Sequence, residues 1–392
     1  MKIAVICAYP IPYGMAATTR IFSYSKGLLA NGDDIEVWSY IPNGTPSSLN
    51  NKNEGNFDGI KFFYSLKCKR FKNKILHILE IILSLFILGF KLKKHDKQAK
   101  YNAFVVSSDS LLIMAYMKIV NFFMKKKLVF IFDEYPIPIR KKLKSKIPNW
   151  KRTCYKLILR GYSGYISMTN NLLKYYQDIE YKPGEIISSI IDISRFDNTE
   201  KKRRLSTPYK ITYMGNMQLS KDNVDNIIKA VDILIKKGYN LNLELYGNPN
   251  KKDKNLLQKL ITDLKIEKYI KFSFASFDEV PNILVNSDIL VSSQPVTVRA
   301  NGGFPTKLGE YLMSENPVLL TDVGETSKYF KDGVHMYFAT PENPEKYAEK
   351  LEFILNNYNV AIQIAKQGKE YIINNYSHIA MGKKMHNFLK RI

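Results

Sequence analysis

Apolar, β-branched runs alternate with amphipathic stretches along nearly the whole chain, and the alternation occurs twice. The first set predicts strands at residues 3–7, 35–38, 104–107, 128–132 and 165–168, with helices such as 18–30 and 111–124 between them. The second starts near Tyr209, with strands at 210–214, 241–246, 270–274, 289–292 and 317–321. Its helices fall at 224–237, 254–264, 281–286, 307–314 and 345–357. Runs this continuously apolar suit strands covered by helices on both faces, the pattern of parallel α/β sheets. Residues 197–208 are polar and aperiodic, hold Lys201-Lys202-Arg203-Arg204, and read as a linker. At roughly 100–200 residues per domain, 392 residues suit two domains. We draw them at 1–197 and 205–375. An amphipathic helix over 376–392 follows the second sheet and is expected to pack back on the first domain.

Composition narrows the function classes. A hydrophobic share of 45% supplies full cores and excludes global disorder. The cysteines Cys7, Cys68 and Cys154 are scattered, which argues against a disulfide scaffold or a structural zinc site and fits a reducing, cytoplasmic compartment. Lysine plus arginine number 59 against 36 acids, a net charge of +23. Such a charge suits nucleic acid, an anionic lipid surface or a phosphate-bearing substrate, and a lysine-rich composition overall is the plain alternative. A nucleic-acid binder needs a basic stripe interleaved with exposed aromatics or a known module. The sequence contains neither, so no nucleic-acid partner is expected.

Residues 75–90 are apolar except for His77, Glu80, Ser84 and Gly89. Lys67, Lys69, Arg70, Lys72 and Lys74 precede them, and Lys91, Lys93 and Lys94 follow. The run is shorter than the ~17–25 residues a spanning helix needs. His77, Glu80 and Ser84 make one narrow polar stripe on a helix. Two readings stay open: a helix lying in a membrane interface with basic flanks on anionic headgroups, or a helix buried against the first sheet with a solvated lysine collar.

The stretch Arg299-Ala-Asn-Gly-Gly-Phe-Pro-Thr-Lys-Leu-Gly-Glu310-Tyr-Leu-Met follows the strand at 289–292 and reads as a loop running into a helix. Asn301, Gly302 and Gly303 let backbone N–H groups approach a ligand, and Pro305 restricts the chain before the helix. The start of that helix suits an anion such as a pyrophosphate. Glu310 lies about one turn in, where a carboxylate can accept two hydrogen bonds from a vicinal diol such as a ribose.

This ordered set resembles the donor-binding signature, Glu, seven residues, Glu, of the retaining GT-B glycosyltransferases of family 4. The form with Phe-Pro-Thr-Lys-Leu-x-Glu-Tyr-Leu is frequent in bacterial surface-polysaccharide assembly. Other stretches carry the same resemblance: Tyr9-Pro-Ile-Pro-Tyr-Gly14 with Arg20, Ile191-Asp192 with Phe196, Tyr213-Met-Gly215 with Lys221, and Pro317-Val-Leu-Leu-Thr321 with Asp322 and Gly324. The resemblance implies a GT-B fold: two Rossmann-like, doubly wound domains facing a central cleft. The N-terminal domain would bind the acceptor and the C-terminal domain the nucleotide sugar. The implied reaction moves a sugar from a nucleotide-diphosphate sugar to an acceptor hydroxyl with retention, without a metal. A UDP-sugar is favoured, with a GDP-sugar as the alternative. No Asp-x-Asp triplet is present, which agrees with metal independence.

The resemblance carries over unevenly. Glu310 matches the glutamate that holds the ribose hydroxyls. The first glutamate of the signature, which contacts the sugar, falls at Gly302. Lys221 matches the basic residue facing the pyrophosphate, and the arginine that often precedes it falls at Asn216. Arg299 or Lys307 would supply the missing charge. The implied donor site therefore comprises Gly14, Gly215, Asn216, Lys221, Arg299, Gly302, Gly303, Phe304, Pro305, Thr306, Lys307 and Glu310. At the end of the strand 128–132, Asp133 takes the place of the family's histidine, and Asp133 or Glu134 is a candidate to orient or deprotonate the acceptor. Asp133, Glu134 and Lys221 form the catalytic set. The expected partners are the nucleotide sugar, a glycan or lipid-linked acceptor and an anionic membrane surface through 67–94, at the inner face of the cell membrane. A non-catalytic GT-B subunit or a basic nucleic-acid-binding protein is the rival reading.

Overall fold

The computed structural model describes all residues except 15, 43–49, 70, 109, 141–145, 189 and 201–205. Met15, Arg70 and the basic run of the linker at 201–204 thus lie outside the described residues. Two compact units are present: residues 1–192 with 377–392, and residues 193–376.

In the first unit, β1 (Lys2–Cys7), β2 (Asp34–Ser39), β3 (Glu54–Phe57), β4 (Ile60–Tyr64), β5 (Ala103–Ser107), β6 (Lys127–Phe132), β7 (Gly164–Ser167) and β8 (Gly184–Ile186) form one sheet. Its order is β3-β4-β2-β1-β5-β6-β7-β8, parallel except for β3. The antiparallel β3–β4 hairpin was not expected. Its signal was Asp58-Gly59, whose φ values of 51° and 82° make the tight turn that such a pair favours. Continuously buried strands such as β1 and β5 explain the unbroken apolar runs.

The helix expected at 75–90 is longer, Lys74–Gln98, and is capped by Asn73, whose side chain accepts the N–H groups of Ile75 and Leu76. By length and composition alone it could cross a membrane, so the length argument against spanning does not hold. Its packing argues the other way. Leu85, Leu88 and Leu92 belong to the core beside Trp38, Tyr101 and Phe104. The polar stripe points into the protein. Glu80 is buried, pairs with Lys67 at 2.7 Å and accepts the Phe71 N–H, while the Ser84 hydroxyl meets that of Ser65. The opposite, apolar side is exposed. The reading of a helix buried against the first sheet thus holds for one face, and the other face is exposed and apolar.

The second unit contains β9 (Tyr209–Met214), β10 (Leu241–Tyr246), β11 (Ile270–Ser273), β12 (Ile289–Ser292), β13 (Val318–Thr321) and β14 (Tyr337–Ala339), all parallel, in the order β11-β10-β9-β12-β13-β14. Its core joins these strands to helices such as Val224–Lys236 and Pro344–Asn356. The last helix, His378–Arg391, belongs to the first unit and packs on the helix Ala16–Ala30. The crossing is close: a β-carbon on Gly382 would lie 2.2 Å from the Gly27 carbonyl carbon.

Candidate functional site

Strand order in the second sheet reverses at β9, which lies between β10 and β12. The loops leaving β9 and β12 run from the same end of two paired parallel strands, and a crevice opens at such a switch point.

Gly215 follows β9, and space dictates its identity. A β-carbon there would sit 2.6 Å from Tyr213 Oη and 2.8 Å from Lys307 Nζ. Gly247, after β10, is similarly constrained, since its β-carbon would lie 1.8 Å from Gly215 O. Asn216 is exposed beside it, and the single turn Leu219–Asp222 carries Lys221.

From β12 the chain enters a short helix, Val298–Gly302, capped by Thr297, whose hydroxyl accepts the Ala300 N–H at 3.1 Å. This corrects the open loop expected for Arg299, Asn301 and Gly302. Gly303 closes that helix at φ −86°, so its backbone conformation does not demand glycine. Gly324 differs: at φ +73°, its β-carbon would meet Ala300 O at 2.6 Å, and its absence lets the turn after β13 close on this helix. Phe304 is buried with its ring beside those of Phe330 and Tyr376, so its side chain anchors the loop from below. Pro305 is buried, Thr306 is exposed, and the helix Lys307–Met313 follows.

Lys307 Nζ lies 4.2 Å over the Tyr213 ring and 3.5 Å from Asp222 Oδ1. Burial lowers the pKa of this ammonium against the attraction of Asp222, and the neighbouring charge of Lys221 lowers it further. Lys307 thus lies beside Gly215 with one buried carboxylate, Asp222, and near enough to Lys221 to feel its charge. Glu310 sits one turn along the same helix. Its Oε1 pairs with Arg195, whose guanidinium stacks 3.7 Å from the Phe277 ring and donates to the Phe277 carbonyl at 2.7 Å. Tyr311, fully buried, fixes the helix: its hydroxyl accepts the Met214 N–H at 2.8 Å and lies 3.3 Å from Val291 O.

Sequence reasoning missed Arg195, Asp222 and Gly247, and read Tyr311 only as part of a motif. Gly247 was signalled by Tyr-Gly-Asn-Pro at a strand end. The Arg195–Glu310 pair had no local signal, its members lying 115 positions apart.

Asp133, Glu134 and Gly14 lie in the first unit. Asp133 and Glu134 end β6, and both are in ion pairs, Asp133 with Arg20 and Glu134 with Arg140, each at 2.5 Å. They line a pocket with Tyr9, Phe132, Tyr155 and Tyr176. Gly14 is exposed, and its α-carbon lies so close to Thr18 that a β-carbon would be 2.1 Å from the hydroxyl. That hydroxyl donates to Pro10 O at 2.8 Å and closes the loop after β1.

Residues 194–371 match the family model Glycosyl transferases group 1. A poly(ribitol-phosphate) alpha-N-acetylglucosaminyltransferase of Staphylococcus aureus is 22% identical over 192 residues, 49% of this chain and 37% of that protein. The chain thus spans well under half of that relative. Among solved structures, a glycosyltransferase of Rickettsia africae superimposes with a TM-score of 0.73 at 17% identity, over 99% of this chain and 97% of that one. Anabaena HepE, solved in complex with UDP and glucose, gives 0.70 at 12% identity and covers all of both chains. The fold is that of the GT-B glycosyltransferases, and residues 194–371 form a glycosyl transferases group 1 domain.

Proposed function

We propose that the chain is a glycosyltransferase that moves a sugar from a nucleotide-diphosphate donor, a UDP-sugar in first place, to an acceptor hydroxyl with retention. The observation that carries this is Lys307 beside Gly215 at the switch point of the group 1 domain, with Lys221 near enough for the two charges to repel. A departing nucleotide diphosphate gains charge as the bond to the sugar breaks, and fixed cations stabilise that charge more than the ground state. Glu310 Oε2 accepts from the ribose hydroxyls while Arg195 holds Oε1. UDP complexes of HepE support the choice of base. Arg299, one helix earlier, is the reserve cation for the sugar side, where Gly302 takes the place of a glutamate.

On the acceptor side, Asp133 and Glu134 line an aromatic pocket and are already paired with arginines. We assign them the role of orienting the acceptor hydroxyl, and its proton passes to the leaving phosphate. A lipid-linked glycan of surface-polysaccharide assembly, at the cytoplasmic face of the membrane, is the acceptor we favour. The Staphylococcus relative, named for transfer to poly(ribitol phosphate), supports a polymeric cell-surface acceptor.

Thermal unfolding with UDP, GDP and their sugars, in excess chelator, tests the donor. Nucleotide at 100 times its Kd stabilises by ~2.7 kcal/mol. UDP should do so without a divalent ion, and GDP less. No stabilisation by any nucleotide diphosphate, with or without a divalent ion, overturns the reading.

A further inference from the structure

We propose that the outward side of the helices Lys74–Gln98 and Leu111–Met124 forms a single surface that docks on anionic phospholipid. Ile75, Ile78, Leu79, Ile82, Phe86 and Phe90 recur at helical spacing on the exposed side of the first helix, with Phe86 64% and Phe90 73% exposed. The second helix adds Leu112, Ile119, Phe122 and Phe123, the two phenylalanines about three-quarters exposed. The helices meet at Gly89, where a β-carbon would be 2.5 Å from Tyr116 Oη and 3.6 Å from Val120. Side chains this apolar, gathered on one side of a water-soluble sheet, mark an interaction surface.

Charge selects the occupant. Exposed Lys69, Lys72 and Lys74 flank the start of the first helix, and exposed Lys93, Lys94 and Lys97 flank its end, with Lys125 closing the second. Glu80 and Asp96 are the acids between 67 and 100, and each is held by a lysine, Lys67 at 2.7 Å and Lys126 at 2.9 Å. The rim is therefore basic at both ends. A second copy on the same face would set lysines against lysines, and like charges across an interface are repulsive. An anionic bilayer surface matches both parts, with acyl chains under the phenylalanines and headgroups on the lysines. A spanning arrangement would draw Glu80, Ser84 and the core leucines out of the first unit. A docked one leaves them in place.

The surface leans on the glycosyl-transfer reading only for the suggestion that the acceptor is lipid-linked. Docking is tested without donor or acceptor, so either reading can fail alone. The chain is sedimented with vesicles of phosphatidylglycerol and phosphatidylcholine, and with phosphatidylcholine alone, at low and high salt. The anionic vesicles should retain at least 10-fold more protein at low salt than the neutral ones, and salt should release it. Ile82→Ser/Phe86→Ser/Phe90→Ser should lose this retention while keeping its thermal transition. If that variant misfolds, Lys69→Gln/Lys72→Gln/Lys93→Gln/Lys94→Gln, which touches no core residue, should lose it too. No preference of the natural chain for anionic vesicles overturns the proposal. So does undiminished retention by a folded variant, or a dimer that these substitutions dissociate.

Discussion

Lys307 holds its charge at a cost. Its ammonium is held among Tyr213, Asp222 and Lys221, and burial with the Lys221 charge lowers its pKa. A base whose folded pKa lies below its unfolded value destabilises the fold while charged. The stability it withholds returns as pH rises from the folded toward the unfolded pKa, and is lost again as pH falls through the folded one. Lys307→Met should therefore leave the free protein as stable as before or more so at neutral pH, yet weaken UDP binding ~10–100-fold, as expected for a lost charged hydrogen bond of ~1.5–3 kcal/mol. A diphosphate beside Lys307 raises its pKa, so binding at alkaline pH should take up protons, which titration calorimetry in two buffers measures. A variant that unfolds earlier without losing UDP affinity makes Lys307 a structural residue. Glu310 gives a complementary test. Glu310→Gln keeps the shape but removes the charge that Arg195 meets and that the proposed ribose contact would use, and should cost ~10–100-fold in UDP affinity with little change in fold. Equal affinity in equilibrium binding removes Glu310 from the ribose.

At the scale of the element, the helix Lys74–Gln98 shows how far sequence reading reaches. Periodicity located it, because an apolar run with basic flanks is a local property. Its orientation was not local. Polar groups prefer water but are buried where partners satisfy them, so the stripe of His77, Glu80 and Ser84 left both readings open. Glu80 and Ser84 are buried because Lys67, the Phe71 N–H and Ser65 satisfy them, and which partners meet is settled by tertiary packing. The two faces should behave oppositely. Leu88→Ala, in the core, should destabilise by ~2–5 kcal/mol in urea unfolding, while Phe86→Ser should change stability by under about 0.5 kcal/mol. Similar losses at both would mean that Phe86 is covered in the free protein. The geometry around the group 1 motif was legible for the opposite reason. Gly215, Lys307 and Glu310 belong to loops and helix starts whose spacing is written locally. Arg195 and Asp222 escaped because a short turn and a lysine-adjacent acid look like surface until the strands bring them together.

At the scale of the whole molecule, the chain crosses from the first unit to the second and returns for its last helix. The return is held by specific contacts. His386 Nδ1 lies 2.7 Å from the buried Asp33, Lys127 Nζ donates to the Leu389 carbonyl at 2.8 Å, and Gly27 and Gly382 let two helices cross with their backbones nearly touching. A large side chain at either glycine has no direction in which to yield, because the opposing atoms are backbone. Gly382→Leu should therefore destabilise the first unit by several kcal/mol, as overpacking against a rigid neighbour does. The core cluster around β9–β14 includes no described residue of that crossing, and Lys307, Lys221 and Glu310 all belong to the second unit. Calorimetry should then resolve two unfolding transitions. Gly382→Leu should lower one, and UDP should raise the other by RT ln(1 + [L]/Kd) in both the natural chain and the variant. A variant that loses its UDP response along with its first-unit stability would show that the donor site needs both units to be folded. A single transition shifted by both changes would show that the units unfold as one cooperative block.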